Sequence, residues 1–120
     1  ASARAASGRA RAAGLPAADP GNLPALCENA RAAPGPERDL LLDVGRDLGR
    51  GLTAALALLD LDLFVFSGGF ANALDILEPG IRLGLDRGST PQGRRRVRLV
   101  RAALGNRAGW IGAARLAGGA

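Results

Sequence analysis

The sequence predicts an α/β fold in which a long helix leads into a βαβα unit carrying a small parallel sheet. Three observations predict it. Apolar residues recur every three or four positions between residues 40 and 59, a short β-preferring run LDLFVF ends at Ser67-Gly68-Gly69, and Val97 and Leu99 alternate with Arg96 and Arg98. Helical and strand periods therefore alternate along the chain, and two strands joined through a helix should run parallel.

Residues 1–36 read as an irregular, Ala-rich segment with short helices, broken at Gly14, Pro16, Pro20, Gly21 and Pro24 and closed by Pro34, Gly35 and Pro36. From Glu37 the stripe Leu40, Val44, Leu48, Leu52, Leu56 and Leu59 predicts a helix over 37–59, with Arg38, Asp39, Asp43, Arg46, Asp47 and Arg50 off the stripe. Gly45, Gly49 and Gly51 fall inside it, each at a cost of about 1 kcal/mol relative to Ala, which close approach of a neighbouring element would explain. Residues 61–66 predict a strand buried on both faces. Beyond the glycines, Ala73, Leu74, Leu77, Ile81 and Leu85 predict a helix that Pro79-Gly80 should break or kink near Glu78. Residues 88–93 form a loop, 96–103 a second strand, and Ala108, Ile111, Gly112, Arg115 and Leu116 a closing helix. Residues 37–120 thus make one α/β body.

Composition removes several chemistries. The chain has 120 residues, no His, and 16 basic residues that are all Arg. There is no imidazole base, no His-ligated metal, no Schiff-base amine and no P-loop lysine. The single Cys27 rules out a disulfide framework or a Cys cluster within the chain and makes a reduced, cytoplasmic setting the default. The longest apolar stretch is interrupted by Asp60 and Asp62 and is too short to span a bilayer, so no membrane partner is expected.

Ser67, Gly68, Gly69 and Phe70 stand at the carboxyl end of the first strand and before a helix, where open α/β sheets hold ligands. Absent side chains let a ligand approach the main chain, and the free N–H groups of the following helix favour anionic or polar atoms. A tight strand-to-helix turn also favours glycine with no ligand at all. Gly105, Gly109 and Gly112 have the wrong spacing for a dinucleotide loop and read as helix packing around Trp110. The run Arg94, Arg95, Arg96, Arg98 and Arg101 lacks interleaved aromatics and reads as a solvated strand face, so no nucleic-acid contact is expected through it. Cys27 reads as a small apolar side chain, and Asp60 and Asp62 as strand-entry or capping residues. Asp39, Asp43 and Asp47 with Arg46 and Arg50 read as a solvated, ion-paired helix face. No catalytic base and no metal site emerges.

The segments LGRGLTAALALLDLDLFVFSGGF and VRLVRAALGNRAGWIGAARLA, in that order and with a helix between them, resemble the C-terminal end of the ROK family of sugar kinases, repressors and open reading frames. Residues 102–114 fit that family's closing pattern A-x-L-G-x-x-A-G-x-x-G-A-A. The resemblance implies part of an actin-like, ribonuclease-H-like ATPase lobe whose Gly-Gly turn meets the adenosine end of ATP. It would put Gly68 and Gly69 at the nucleotide, with Ser67, Phe70 and Asn72 as candidates by adjacency. The implied reaction is that of a bacterial, glucokinase-like enzyme, which transfers the ATP γ-phosphoryl group to a sugar hydroxyl with Mg²⁺ and an aspartate base. The family's phosphate loop, catalytic aspartate and zinc motif have no match here, and the chain starts at Ala1 with its first acidic residue at Asp19. We therefore expect a C-terminal piece that is inactive alone. A sugar-sensing repressor of the same family would share this lobe, and a stand-alone module dimerising through Gly45, Gly49 and Gly51 is a third reading.

Overall fold

The computed structural model describes residues 3–15, 23–86, 97–103 and 108–118. Helices α1 (Ala3–Ala12) and α2 (Leu23–Ala32) precede the long α3 (Pro36–Leu59). Then come β1 (Leu63–Phe66), a 3-10 turn (Gly69–Ala73), α4 (Leu74–Asp86), β2 (Arg98–Arg101) and α5 (Ala108–Ala117). The two strands pair in parallel, with Leu63 opposite Arg98 and Phe66 opposite Arg101. The chain is thus an α/β structure with a small parallel sheet.

Pro36 opens α3 at a position where a missing N–H costs nothing. Asp60 closes it in a left-handed conformation (φ 48°), a short polar residue where a larger one would be strained. Asp62 lends its carbonyl to the Arg98 N–H at 2.8 Å, so both aspartates serve chain entry into the sheet.

α3 is the central element: α1, α2 and α4 all pack on it. Leu26, Leu41, Leu77, Ile81 and Leu85 are the largest fully buried side chains, and Ala6 and Ala10 of α1 join the same cluster. The buried stripe of α3 differs from the expected one. Leu41 and Val44 are its buried apolar residues, Leu40, Leu48, Leu52 and Leu56 pack partly, and Leu59 is exposed. The reason is the glycines. α4 lies against Gly45 and Gly49, so the contact line follows them instead of the leucines.

At that contact Gly45 and Gly49 meet Gly80 and Gly84. A Cβ on Gly45 would fall 2.5 Å from the Leu77 carbonyl oxygen and 3.1 Å from the Gly80 Cα. A Cβ on Gly80 would collide with the Leu42 carbonyl. Two facing pairs of glycines four residues apart therefore set the helix separation. The close-approach expectation holds for Gly45 and Gly49 and fails for Gly51, which is exposed and has nothing within 4 Å of its would-be Cβ. Of the three glycines of the dimerisation reading, Gly45 and Gly49 are thus taken up by α4 within the chain, and Gly51 is left open.

Two further expectations change. α4 runs unbroken through Pro79. Pro79 is on the exposed side, and Leu77, Gly80, Ile81, Gly84 and Leu85 are all buried, so packing on both sides of the proline offsets its lost hydrogen bond. Strand β1 is shorter than residues 61–66 and is buried on one face only: Phe64 and Phe66 pack against the core, while Leu63 and Val65 are 38% and 58% exposed. Among the described residues only the inner face of this sheet is covered. The loop at 88–93, Arg94 to Arg96, Gly105 and the side chain of Trp110 lie outside the described residues.

Candidate functional site

Because β1 and β2 are parallel, their carboxyl ends share one edge, where the Ala102 N–H donates to the Phe66 carbonyl at 2.7 Å. The glycine turn springs from this edge. Ser67 is exposed one residue beyond β1, and Gly68 adopts φ 83°, a region that glycine enters without strain. Nothing lies within 4 Å of the position a Gly68 Cβ would take. The main chain is therefore bare towards the outside. The Gly68 carbonyl accepts the Ala71 N–H at 3.1 Å, which starts the 3-10 turn that contains Gly69, Phe70 and Asn72. The side chain of Phe70 lies outside the described residues.

Asn72 is exposed and is held from two directions. Its main-chain oxygen accepts Arg31 Nη2 at 2.7 Å, and its Oδ1 accepts Arg101 Nη1 at 3.3 Å. Arg31 also forks onto Asp75, with Nε on Oδ2 and Nη2 on Oδ1, both at 2.8 Å. The hydrogen bond from Arg31 holds the Asp75 carboxyl below its ordinary range against the opposing effect of burial, so the aspartate is a poor proton acceptor. Arg31, Asn72, Asp75, Glu78 and Arg101 border a groove of about 440 Å³ beside the turn. A second groove of about 430 Å³, bordered by Arg38, Leu42, Ile76 and Pro79, opens on the other side of the Arg31–Asp75 pair.

Of the residues singled out in the sequence, Ser67, Gly68 and Asn72 stand at this edge, and the main chain of Gly69 and Phe70 continues the turn. Arg31 was missed. It lies 41 residues from Asn72 on another helix, and no local pattern connects them. Arg101 read as a solvated strand residue and is exposed, yet it also reaches Asn72. On α3 the ion-paired face follows its spacing, with Arg46 on Asp43 at 2.9 Å and Arg50 on Asp47 at 3.2 Å, and Arg9 of α1, distant in sequence, joins Asp47. Burial pushes the Cys27 thiol up, which keeps it protonated and unreactive. Among the described residues no three Cys, Asp or Glu side chains stand together as metal ligands, and no helix is long and apolar enough to cross a membrane.

No curated protein matches the chain. A crystal structure from Cytophaga hutchinsonii ATCC 33406, described provisionally as a sugar kinase, superposes with a TM-score of 0.71 at 22% identity, covering 78% of this chain. It shows the same fold over that stretch. The chain spans 31% of that protein's length. The ROK family model matches residues 4–120. A glycine turn on a parallel-strand edge, set in a sequence that this model follows over nearly its whole length, makes the chain a member of the ROK family.

Proposed function

We propose that the chain supplies the adenosine side of the ATP site in a ROK-type sugar kinase, as part of an actin-like, ribonuclease-H-like lobe. The observation that carries the reading is the glycine turn: Gly68 at φ 83°, open on its outer side, at the carboxyl edge of two parallel strands. In this reading the bare main chain at Gly68 and Gly69 lets the nucleoside lie close, and Ser67 and Asn72 offer polar contacts beside it. Phe70 is assigned by adjacency alone. The kinase reading takes its reaction from the description of the similar structure as a sugar kinase, and a repressor of the same family would share this lobe.

The whole reaction would pass the γ-phosphoryl group of ATP to a sugar hydroxyl, a step that depends on positioning both substrates and neutralising phosphate charge. This chain's part is binding and orientation of the nucleoside end. Among the described residues no three carboxylates stand together, and the reading assigns this chain's carboxylates neither the metal nor the catalytic base.

Calorimetric titration of the 120-residue chain with ADP tests the reading. Saturable binding is expected, weakened about tenfold or more (1.4 kcal/mol) by Gly68→Val, which fills the open side of the turn. Absence of ADP binding would overturn it. The same preparation with ATP, Mg²⁺ and glucose is expected to form no sugar phosphate.

A further inference from the structure

The geometry points to Arg31 as the positioning residue that sets the conformation of the glycine turn, by tying the end of α2 to Asn72 and Asp75 at the start of α4. Its bearing on ligand binding rests on the nucleoside reading of that turn.

Arg31 places three hydrogen bonds on two residues of the turn region: two on the Asp75 carboxylate and one on the Asn72 carbonyl. The fork is geometry that Lys cannot copy, because an ammonium is a point charge with no planar pair of donors. The backbone of Arg31 is itself braced. Arg38 of α3 donates Nε to the Ala30 carbonyl at 2.8 Å and Nη2 to the Arg31 carbonyl at 3.2 Å, which covers the open end of α2. From the far side Arg101 of β2 reaches the Asn72 amide. A chain of contacts thus runs from α3 through the end of α2 to the first turn of α4 and on to the carboxyl edge of the sheet.

Exposure and geometry together bear on its role. The Arg31 and Asp75 side chains are 41% and 60% exposed, so solvent weakens the charge attraction, while the bidentate fork fixes the direction in which the two side chains meet. A solvated pair with three well-formed bonds, standing as the wall between two grooves, is placed to hold a shape. The shape held is the 3-10 turn whose first hydrogen bond, Ala71 N–H to the Gly68 carbonyl, fixes Gly68 itself.

Amide hydrogen exchange on the full 120-residue chain reads this directly. With Arg31→Ala, exchange at Ala71 is expected to rise about fivefold or more relative to Val44 in the middle of α3, since only the local opening becomes easier. Arg31→Lys, which keeps the charge and loses the fork, is expected to behave as Arg31→Ala. Three results would overturn the assignment: unchanged exchange at Ala71, equal rises at Ala71 and Val44, or full protection retained by Arg31→Lys. ADP titration of the same proteins separates the two readings. Wild-type chain that ignores ADP while Ala71 responds to Arg31→Ala sinks the nucleoside reading and supports the clamp. An ADP affinity that falls about fivefold in both variants supports both, and an unchanged affinity with lost Ala71 protection overturns the link between clamp and ligand.

Discussion

Ser7 is 3% exposed within α1, and its hydroxyl has no hydrogen-bond partner among the described residues. A buried hydroxyl left unpaired forfeits its hydration without compensation, and serine is also a weaker helix former than alanine. Ser7→Ala is therefore expected to stabilise the chain by about 1 kcal/mol, read as a higher urea midpoint at unchanged slope. Gly68 is the opposite case. Its positive φ favours glycine while the space beside it stands open, and the turn itself was legible because a paired glycine after an apolar strand suits a tight strand-to-helix connection with or without a ligand. Asn72 was identified by adjacency alone. The arginines that hold it come from residues 31 and 101, and chain folding alone brings them together.

At the level of elements, the α3–α4 contact governs the fold through its four glycines. Gly80→Ala would drive a methyl group into the Leu42 carbonyl and to 3.1 Å from the Arg46 nitrogen, both backbone atoms that cannot turn aside. A loss of about 1–3 kcal/mol is expected, from overpacking that forces the helices apart. Gly51→Ala is the internal control. It stands on the exposed side of α3 with open space around it, so a gain of about 0.5–1 kcal/mol is expected from helix propensity. Paired urea unfolding curves would check both, and opposite signs from the same substitution in neighbouring elements would tie the effect to the contact. The sequence announced glycines that needed a partner but not which helix would supply it. Of the break or kink expected at Pro79, the break does not occur, for a related reason: local preference argues against a proline there, and burial on either side keeps the helix continuous.

Across the whole molecule, charge is arranged so that acid is the condition that tests it. Arg31 holds the Asp75 carboxyl low, and Arg9 does the same for Asp47, in each case chiefly through a side-chain hydrogen bond. A carboxyl whose folded pKa is depressed adds stability above its unfolded value, about 3.9, and loses that addition as pH falls through the folded value. The chain has no His, and burial pushes the Cys27 thiol further above neutrality. The urea midpoint is expected to stay flat from about pH 5.5 to 7.5 and to fall below about pH 4, with a shallower fall in Asp75→Asn. A steep change near neutrality would contradict this arrangement.

Periodicity and composition determined the order of helices and strands, the parallel pairing and the position of the open turn, because each depends on residues close together in sequence. The family came from a resemblance, carried by motifs whose order survives without any neighbour in space. Only the tertiary structure decided that Gly45 and Gly49 serve Gly80 and Gly84, that α4 continues through a proline, that β1 is covered on one face, and that Arg31 grips the turn. Each of those depends on which surfaces meet at a few ångströms, and backbone contact between distant residues leaves no period in the sequence to read.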